Sequence, residues 1–200
     1  MKTNSEIRAL ARQSLSGNWA MPVLVTLIVC IFSALSGGIP WAGVILLFLV
    51  AMPLEYSVEQ AFLQFARGNK EELMENMFSG FKNYGRALGT PLLMGLYVFL
   101  WSLLLVIPGI IKAYSYAMTY YVALDHPELG AEKCIQESMR LMSGHKMKLF
   151  LLDLSFIGWY LLCILTFGIG FLWLAPYISI SHAHFYEELK AANQEVKEAI

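Results

Sequence analysis

Residues 88–125 read LGTPLLMGLYVFLWSLLLVIPGIIKAYSYAMTYYVALD, two apolar runs that meet at Pro108-Gly109. An α-helix rises about 1.5 Å per residue, so about 20 apolar residues cross the hydrocarbon core of a bilayer. Proline fits the first turn of a new helix, and glycine permits a chain reversal. The stretch therefore predicts a membrane hairpin, with one helix over 88–107 and a second over 108–125.

Four further apolar runs lie outward from this hairpin, at about 19–36, 40–62, 148–166 and 169–186. Of the 200 residues, 58% are hydrophobic and 14% are charged, which is more apolar surface than a soluble domain of this size can bury. The net charge of −1 provides no basic field for nucleic acid. The sequence predicts an all-α protein with six transmembrane helices in three hairpins, at about 19–62, 88–125 and 148–186.

The basic residues predict the orientation of these helices. With six spans, 13 of the 14 Lys and Arg residues fall on one side of the membrane, whereas five spans would leave the C-terminal lysines on the other side. The exception is Lys112, which can reach outward past the Pro108 turn. The positive-inside rule then predicts a multi-pass protein of the bacterial inner (plasma) membrane with both termini in the cytoplasm. The first run is expected to be a retained span, because the segment before it is too long and helix-like for the start of a signal peptide.

The cytoplasmic connections carry amphipathic patterns. Helices are predicted on the inner membrane surface at about 5–16, 70–81 and 131–143, with a cap at Asn4 or Ser5, and a charged helix follows over 187–200. Packing beneath the bundle is the alternative place for the amphipathic helices. We expect residues 1–200 to form a single integral membrane domain.

A Ser-Gly pair recurs at positions 16–17, 79–80 and 143–144, which are almost evenly spaced along the chain. Each pair ends an amphipathic segment and precedes a hairpin, which predicts three tandem units related by an axis along the membrane normal. The alternative is that Ser-Gly is a common helix stop and the spacing is accidental.

These residues, in this order, resemble a bacterial family of integral membrane proteins known as domain of unknown function 975. The matching stretches are Arg8–Trp19, Gly80–Arg86, Ile107–Ile110, Ala131–Lys146 and Pro176–Glu187. The resemblance covers nearly the whole chain and implies a six-helix membrane protein. It implies no activity and no catalytic residue.

Four ionisable residues within the predicted spans are candidates for function, because charge in lipid is expensive. Glu55 and Glu59 share one face of the second span, Asp153 lies about five residues into the fifth, near the inner side, and His182 lies near the inner end of the sixth. They predict a polar cavity that opens to the cytoplasm and could relay protons or bind a cation. The alternative is that these groups reach the interface or pair with one another.

Other candidate sites are weaker. His182 and His184 diverge on a helix, and no further ligand joins them, so no metal or other cofactor is predicted. Cys30, Cys134 and Cys163 are too far apart for a disulfide framework or a metal site and are expected to be apolar fillers. Arg86, Lys112, Lys146 and Lys148 are candidate contacts for lipid head groups, although topology signals also account for them.

Three hypotheses for function follow from these observations. The first is a non-enzymatic envelope scaffold, regulator or accessory factor, which would work through a membrane-protein partner or a homo-oligomer. The second is a small transporter or channel with a cytoplasm-facing polar cavity. The third is a lipid-binding or lipid-modifying membrane protein. No hydrolase, nucleotide-binding or metalloprotease motif argues for catalysis, and the bilayer is the one partner that composition requires.

Overall fold

The computed structural model describes residues 1–38, 43 and 47–198, and these contain α-helices, one π-helical turn and no strand. The π-helical turn is Leu47–Ala51. The α-helices are α1 Asn4–Leu15, α2 Ala20–Gly38, α3 Met52–Ala66, α4 Leu73–Met77, α5 Ser79–Lys82, α6 Tyr84–Leu104, α7 Val106–Tyr116, α8 Thr119–Asp125, α9 Ala131–Leu141, α10 Lys146–Leu154, α11 Ile157–Leu165 and α12 Phe171–Glu198. The chain is therefore all-α, as its sequence predicts. The predicted turn at residues 36–40 falls partly outside the described residues.

Three helical pairs follow the three amphipathic segments in order, and we call them the first, second and third hairpins. In the first hairpin, α2 contacts the π-helical turn and α3. In the second, α6 packs along α7. In the third, α12 packs against α10 and α11. Two stretches, Tyr84–Leu103 and Lys146–Leu165, are long and apolar enough to cross a membrane, and α1 with α2 would make a third if this pair, bent by 97°, forms one span. By length and composition the described residues thus contain two or three candidate spans, and the six predicted spans are not confirmed.

The turn of the second hairpin differs from the sequence-based expectation. The reversal is at Leu105, which has an extended backbone between α6 and α7, so Pro108 lies in the first turn of α7. Gly109 serves close packing instead, because a Cβ there would lie 2.2 Å from Ser102 Oγ on the opposite helix. The third hairpin reverses at Phe167 and Gly168, which both have positive φ, as expected for a glycine turn.

The amphipathic segments pack in a circular order. The α4 segment lies on the first hairpin, and α9 lies mainly on the second. The N-terminal α1 lies on the third hairpin, against α12 and α10. The cap of α1 is Thr3 rather than Asn4 or Ser5, because Thr3 is followed three residues later by Glu6 and forms a capping box with it.

The predicted return helices are less regular than their hydropathy suggests. The 108–125 run breaks between α7 and α8, where the Met118 N–H donates to the buried Ser138 Oγ of α9. The 148–166 run breaks at Ser155 and Phe156, between α10 and α11. By contrast, the predicted sixth span and the charged C-terminal helix are one continuous helix, α12, over its described part.

Apolar side chains of the second and third hairpins are exposed at the turns. Leu105 is 68% exposed, Val106 71% and Phe167 99%. Such contiguous apolar exposure is rare on a water-soluble surface. The turns of these two hairpins therefore differ from the usual surface of a water-soluble protein.

Candidate functional site

Glu59 of α3 joins all three hairpins. Its carboxylate accepts hydrogen bonds from the Tyr121 hydroxyl of α8 at 2.7 Å and from the Ser179 hydroxyl of α12 at 2.9 Å. Tyr121 is 2% exposed, so its hydroxyl is an interior donor. Glu55 lies one helical turn away on the same face of α3 and remains exposed.

Asp153 and His182 form a second pair between α10 and α12. His182 Nε2 lies 2.6 Å from Asp153 Oδ1, and the Tyr114 hydroxyl of α7 donates to Asp153 Oδ2 at 3.0 Å. The side chains of His182 and Asp153 keep 26% and 32% of their accessible surface although three helices surround them. This pair is thus both packed between helices and open to a small molecule such as water.

The two groups lie within electrostatic range of each other. The Glu59 carboxylate interacts electrostatically with His182 of the second pair and with Glu55 on its own helix. We call the set the polar junction; it comprises the four predicted residues Glu55, Glu59, Asp153 and His182 with the partners Tyr114, Tyr121 and Ser179. Sequence reasoning missed the three partners, although Tyr114 and Tyr121 are seven residues apart and so could have been placed on one helix face.

The polar junction carries more negative than positive groups. It contains three carboxyl groups and one imidazole, and no Lys or Arg among the described residues forms an ion pair with them. Glu59 and Asp153 lie between packed helices, and negative charge in such a place is unfavourable unless a proton or a cation accompanies it. The described residues include no group of three or more His, Cys, Asp or Glu side chains placed to hold a metal ion.

His184 points away from the junction. Its Nε2 lies 2.9 Å from the Ser14 hydroxyl of α1, on a different face of α12 from His182. This separation is what helical geometry predicts for residues two apart, and it keeps the two imidazoles from sharing a ligand.

A charged cluster lies where α3 and α8 end, beside α12. Asp125 at the end of α8 forms ion pairs with Arg67 at 2.7 Å and with Lys190 of α12 at 2.5 Å, and it also accepts from the Tyr186 hydroxyl at 2.9 Å. Arg67 also pairs with Glu187 at 2.7 Å. We call these five residues the charged latch. Its residues are polar neighbours of apolar runs, so nothing in their local sequence marks them as partners.

Electrostatics in the charged latch favour ionised groups. Burial alone would lower the pKa of Arg67, but the hydrogen bonds from its guanidinium to Asp125 and Glu187 outweigh that cost and raise the pKa. The Arg67 guanidinium therefore stays charged at every physiological pH.

The four predicted lipid contacts have different surroundings. Arg86 donates to the backbone carbonyls of Pro127 and His126, the latter at 2.8 Å, and so ties α6 to the loop after α8. Lys112 lies over the Trp101 ring at 4.6 Å, inside its own hairpin, instead of reaching outward. Lys146 and Lys148 are half-buried at the start of α10.

The free cysteines are not brought together. Cys134 is buried on α9 and Cys163 on α11, and Cys30 is exposed on α2. Their separation provides no thiol pair in the structure.

Comparison with known proteins gives a family and no activity. A family model described as "Protein of unknown function (DUF975)" matches residues 1–112 and 102–193, which confirms the resemblance seen in the sequence motifs. No curated protein and no solved structure matches the chain.

Proposed function

Because the chain belongs to the DUF975 family of proteins of unknown function, its activity has to be argued from its own residues, and we propose that it is a proton-binding membrane transporter. In this proposal three hairpins enter the bilayer from the cytoplasmic side, both termini stay in the cytoplasm, and the polar junction is the transport site. The membrane is the inner (plasma) membrane of a bacterium.

Several observations support the membrane embedding. One outgoing leg runs from Arg86 to the turn at Leu105, and another runs from Lys148 to the turn at Phe167. At ~1.5 Å per residue each outgoing leg is then about 28 Å long, close to the ~30 Å hydrocarbon thickness. The apolar turns would reach the far boundary, and the charged latch would lie in the cytoplasmic layer.

The circular packing of the amphipathic segments supports the threefold repeat. Each segment rests on the hairpin that precedes its own, and α1 completes the circle by resting on the third hairpin. Three equivalent units around a common axis would produce this order, because each unit would then contact its neighbour through the same pair of surfaces.

The observation that carries the transport proposal is the charge balance of the polar junction. Three carboxyl groups and one imidazole come from the first and third hairpins, and side chains of the second and third hairpins hydrogen-bond Glu59 and Asp153. Such a set would hold a proton in place of a fixed counter-ion. Intramembrane carboxyl and imidazole groups in contact are the usual parts of proton relays. The scaffold hypothesis has no corresponding feature in the structure, so we place it second.

Proton flux in proteoliposomes tests this proposal directly. Wild-type protein, in vesicles loaded with a pH-sensitive dye and driven by a potassium diffusion potential, should acidify the vesicle faster than protein-free liposomes. Glu59→Gln and Asp153→Asn should lower the flux to the protein-free rate, because each removes a carboxyl that would carry the proton. Wild-type flux equal to that of empty vesicles would refute the transport function.

A matched control variant shows whether the loss of flux requires the loss of a junction carboxyl or follows the loss of any carboxyl. Glu75→Gln removes one carboxyl from an exposed pair with Lys82, at 3.4 Å, and neither residue belongs to the junction. This variant should keep the wild-type flux. A loss as large as that of Glu59→Gln would mean that the assay reports folding or orientation instead of the junction.

Topology is tested separately with reporter fusions. A reporter active only in the cytoplasm should be silent when fused after Gly38, Pro108 or Gly168 and active at the C-terminus. Activity at all three turns would refute six crossings.

A further inference from the structure

The third hairpin contains an apolar cavity beside two arginines that the proposed transport site does not use. The cavity has a volume of about 450 Å³ and runs between α11, α12 and the end of α1. Its walls include Trp159, Leu162 and Trp173 along the hairpin, and Trp19, Tyr177 and Arg12 at the α1 end. This volume is in the range of roughly 300–1,000 Å³ that is typical of small-molecule sites.

The walls of the cavity are asymmetric along its length. The end near the hairpin turn is lined by the apolar side chains of Trp159, Leu162 and Trp173. All three are exposed, and Leu162 keeps 53% of its accessible surface. The other end meets α1, whose Arg8 and Arg12 are four residues apart and so share a helix face. A ligand that fills the cavity would therefore have an apolar chain at one end and an anionic group at the other.

The two arginines are available to such a group. Arg12 is exposed, and no ion pair or side-chain hydrogen bond of Arg12 occurs in the part of the chain that the structure describes. Arg8 donates from one terminal nitrogen to the Ser155 carbonyl at 3.1 Å, but its Nε is buried without a hydrogen-bond partner. The guanidinium of Arg8 also lies over the Phe156 ring, at 5.8 Å, which holds it beside the cavity wall.

The aromatic rings fix the position of this end of the cavity. Tyr177 lies edge-on to Phe156 at a centroid distance of 5.2 Å, and its hydroxyl is 3.4 Å from the Arg8 carbonyl oxygen. Trp and Tyr side chains prefer the boundary between hydrocarbon and head groups. Trp19 and Tyr177 thus mark the depth at which the phosphate of a lipid would sit.

We propose that this cavity is a binding site for one anionic phospholipid, with its phosphate at Arg8 and Arg12 and an acyl chain between α11 and α12. Charge complementarity selects this occupant, because Arg12 lines a mostly apolar trough and Arg8 lies one helical turn away on α1. Neither arginine forms an ion pair with a carboxylate of the described residues. The site differs from the four basic residues considered in the sequence, since neither arginine was among them. A bound lipid would link α1 to the third hairpin across their shared interface.

Tryptophan fluorescence gives a direct measurement, because three of the five tryptophans of the chain line the cavity. Protein in phosphatidylcholine bilayers is mixed with brominated phosphatidylglycerol or, in parallel, brominated phosphatidylcholine, and quenching gives the relative binding constant. At ~1 kcal/mol per basic residue near anionic lipid, the wild type should bind the anionic lipid at least about fivefold more tightly. Equal quenching by the two lipids would overturn the proposal.

Variants at one position separate charge from shape. Arg12→Gln should lower the preference about fivefold, Arg12→Lys should keep most of it, and the exposed cation control Lys133→Gln should leave it unchanged. An Arg12→Gln protein with the wild-type preference, or a Lys133→Gln protein with the same loss, would overturn the site. Soluble glycerol phosphate at millimolar concentration should not compete, and competition would overturn the lipid assignment by showing that a free phosphate is bound.

Discussion

Removal of the Asp125 carboxylate should destabilise the protein by about 3 kcal/mol, a value that follows from its partners and burial. The side chain is 12% exposed and accepts charge-assisted bonds from Arg67 and Lys190, together with the hydroxyl bond from Tyr186. Loss of one partner from a buried ion pair costs roughly 3–5 kcal/mol. The lower end applies here, because Arg67 and Lys190 are 25% and 32% exposed and can regain water.

The assay is reversible unfolding in mixed micelles with increasing dodecyl sulfate, followed by tryptophan fluorescence. Asp125→Ala should lose about 3 kcal/mol, while Glu75→Ala should lose less than about 0.5 kcal/mol, because the side chains of Glu75 and Lys82 are 74% and 70% exposed. A double-mutant cycle with Arg67→Met should show a coupling of about 1–3 kcal/mol. An Asp125→Ala protein that unfolds at the same dodecyl sulfate fraction as Glu75→Ala would refute the stabilising role of the charged latch.

Three further predictions concern stability. Gly80→Ala should cost more than about 2 kcal/mol, because the new Cβ would lie 2.2 Å from a buried hydroxyl, whereas Gly85→Ala faces open space and should gain up to about 1 kcal/mol. Ser138→Ala should cost about 1–3 kcal/mol in the same unfolding assay, because it leaves a buried N–H without its acceptor. Burial alone would raise the pKa of the Glu188 carboxyl. The hydrogen bonds from Lys2 together outweigh this effect, so the pKa is lowered from its ordinary value of 4.5. The stability difference between wild type and Glu188→Gln should therefore be full above pH 4.5 and disappear as the pH falls through that lowered pKa.

Each of these predictions has a contrary outcome. A Gly80→Ala protein as stable as the Gly85→Ala protein would mean that the close approach between α5 and α3 is not maintained. A Ser138→Ala protein with wild-type stability would mean that water replaces the lost hydroxyl. A Glu188→Gln difference that does not change with pH over the whole acid range in which the protein stays folded would assign the contribution of Glu188 to packing instead of charge.

Local sequence patterns predicted the order of elements, because hydropathy and turn chemistry depend on near neighbours. The amphipathic segments at 4–15 and 131–141 and the reversal near Gly168 follow from such patterns. The family resemblance followed from short motifs and is confirmed by the family model.

Local sequence patterns could not predict the contacts between distant segments. The break after Tyr116 exists because Ser138, on a later helix, accepts from the Met118 N–H. The donors to Glu59 are Tyr121 and Ser179, which lie on α8 and α12, far along the chain. A single sequence carries the polar residues of such a site, but the pairing among them is decided by helix packing.

The contact between the two ends of the chain has a consequence for biogenesis. Lys2 donates from its backbone N–H to the Glu188 carboxylate at 2.9 Å, although the two residues are 186 positions apart. The α1 segment is synthesised well before α12, the surface that receives it. A chain stalled before α12 would therefore leave the apolar face of α1 without its main packing partner.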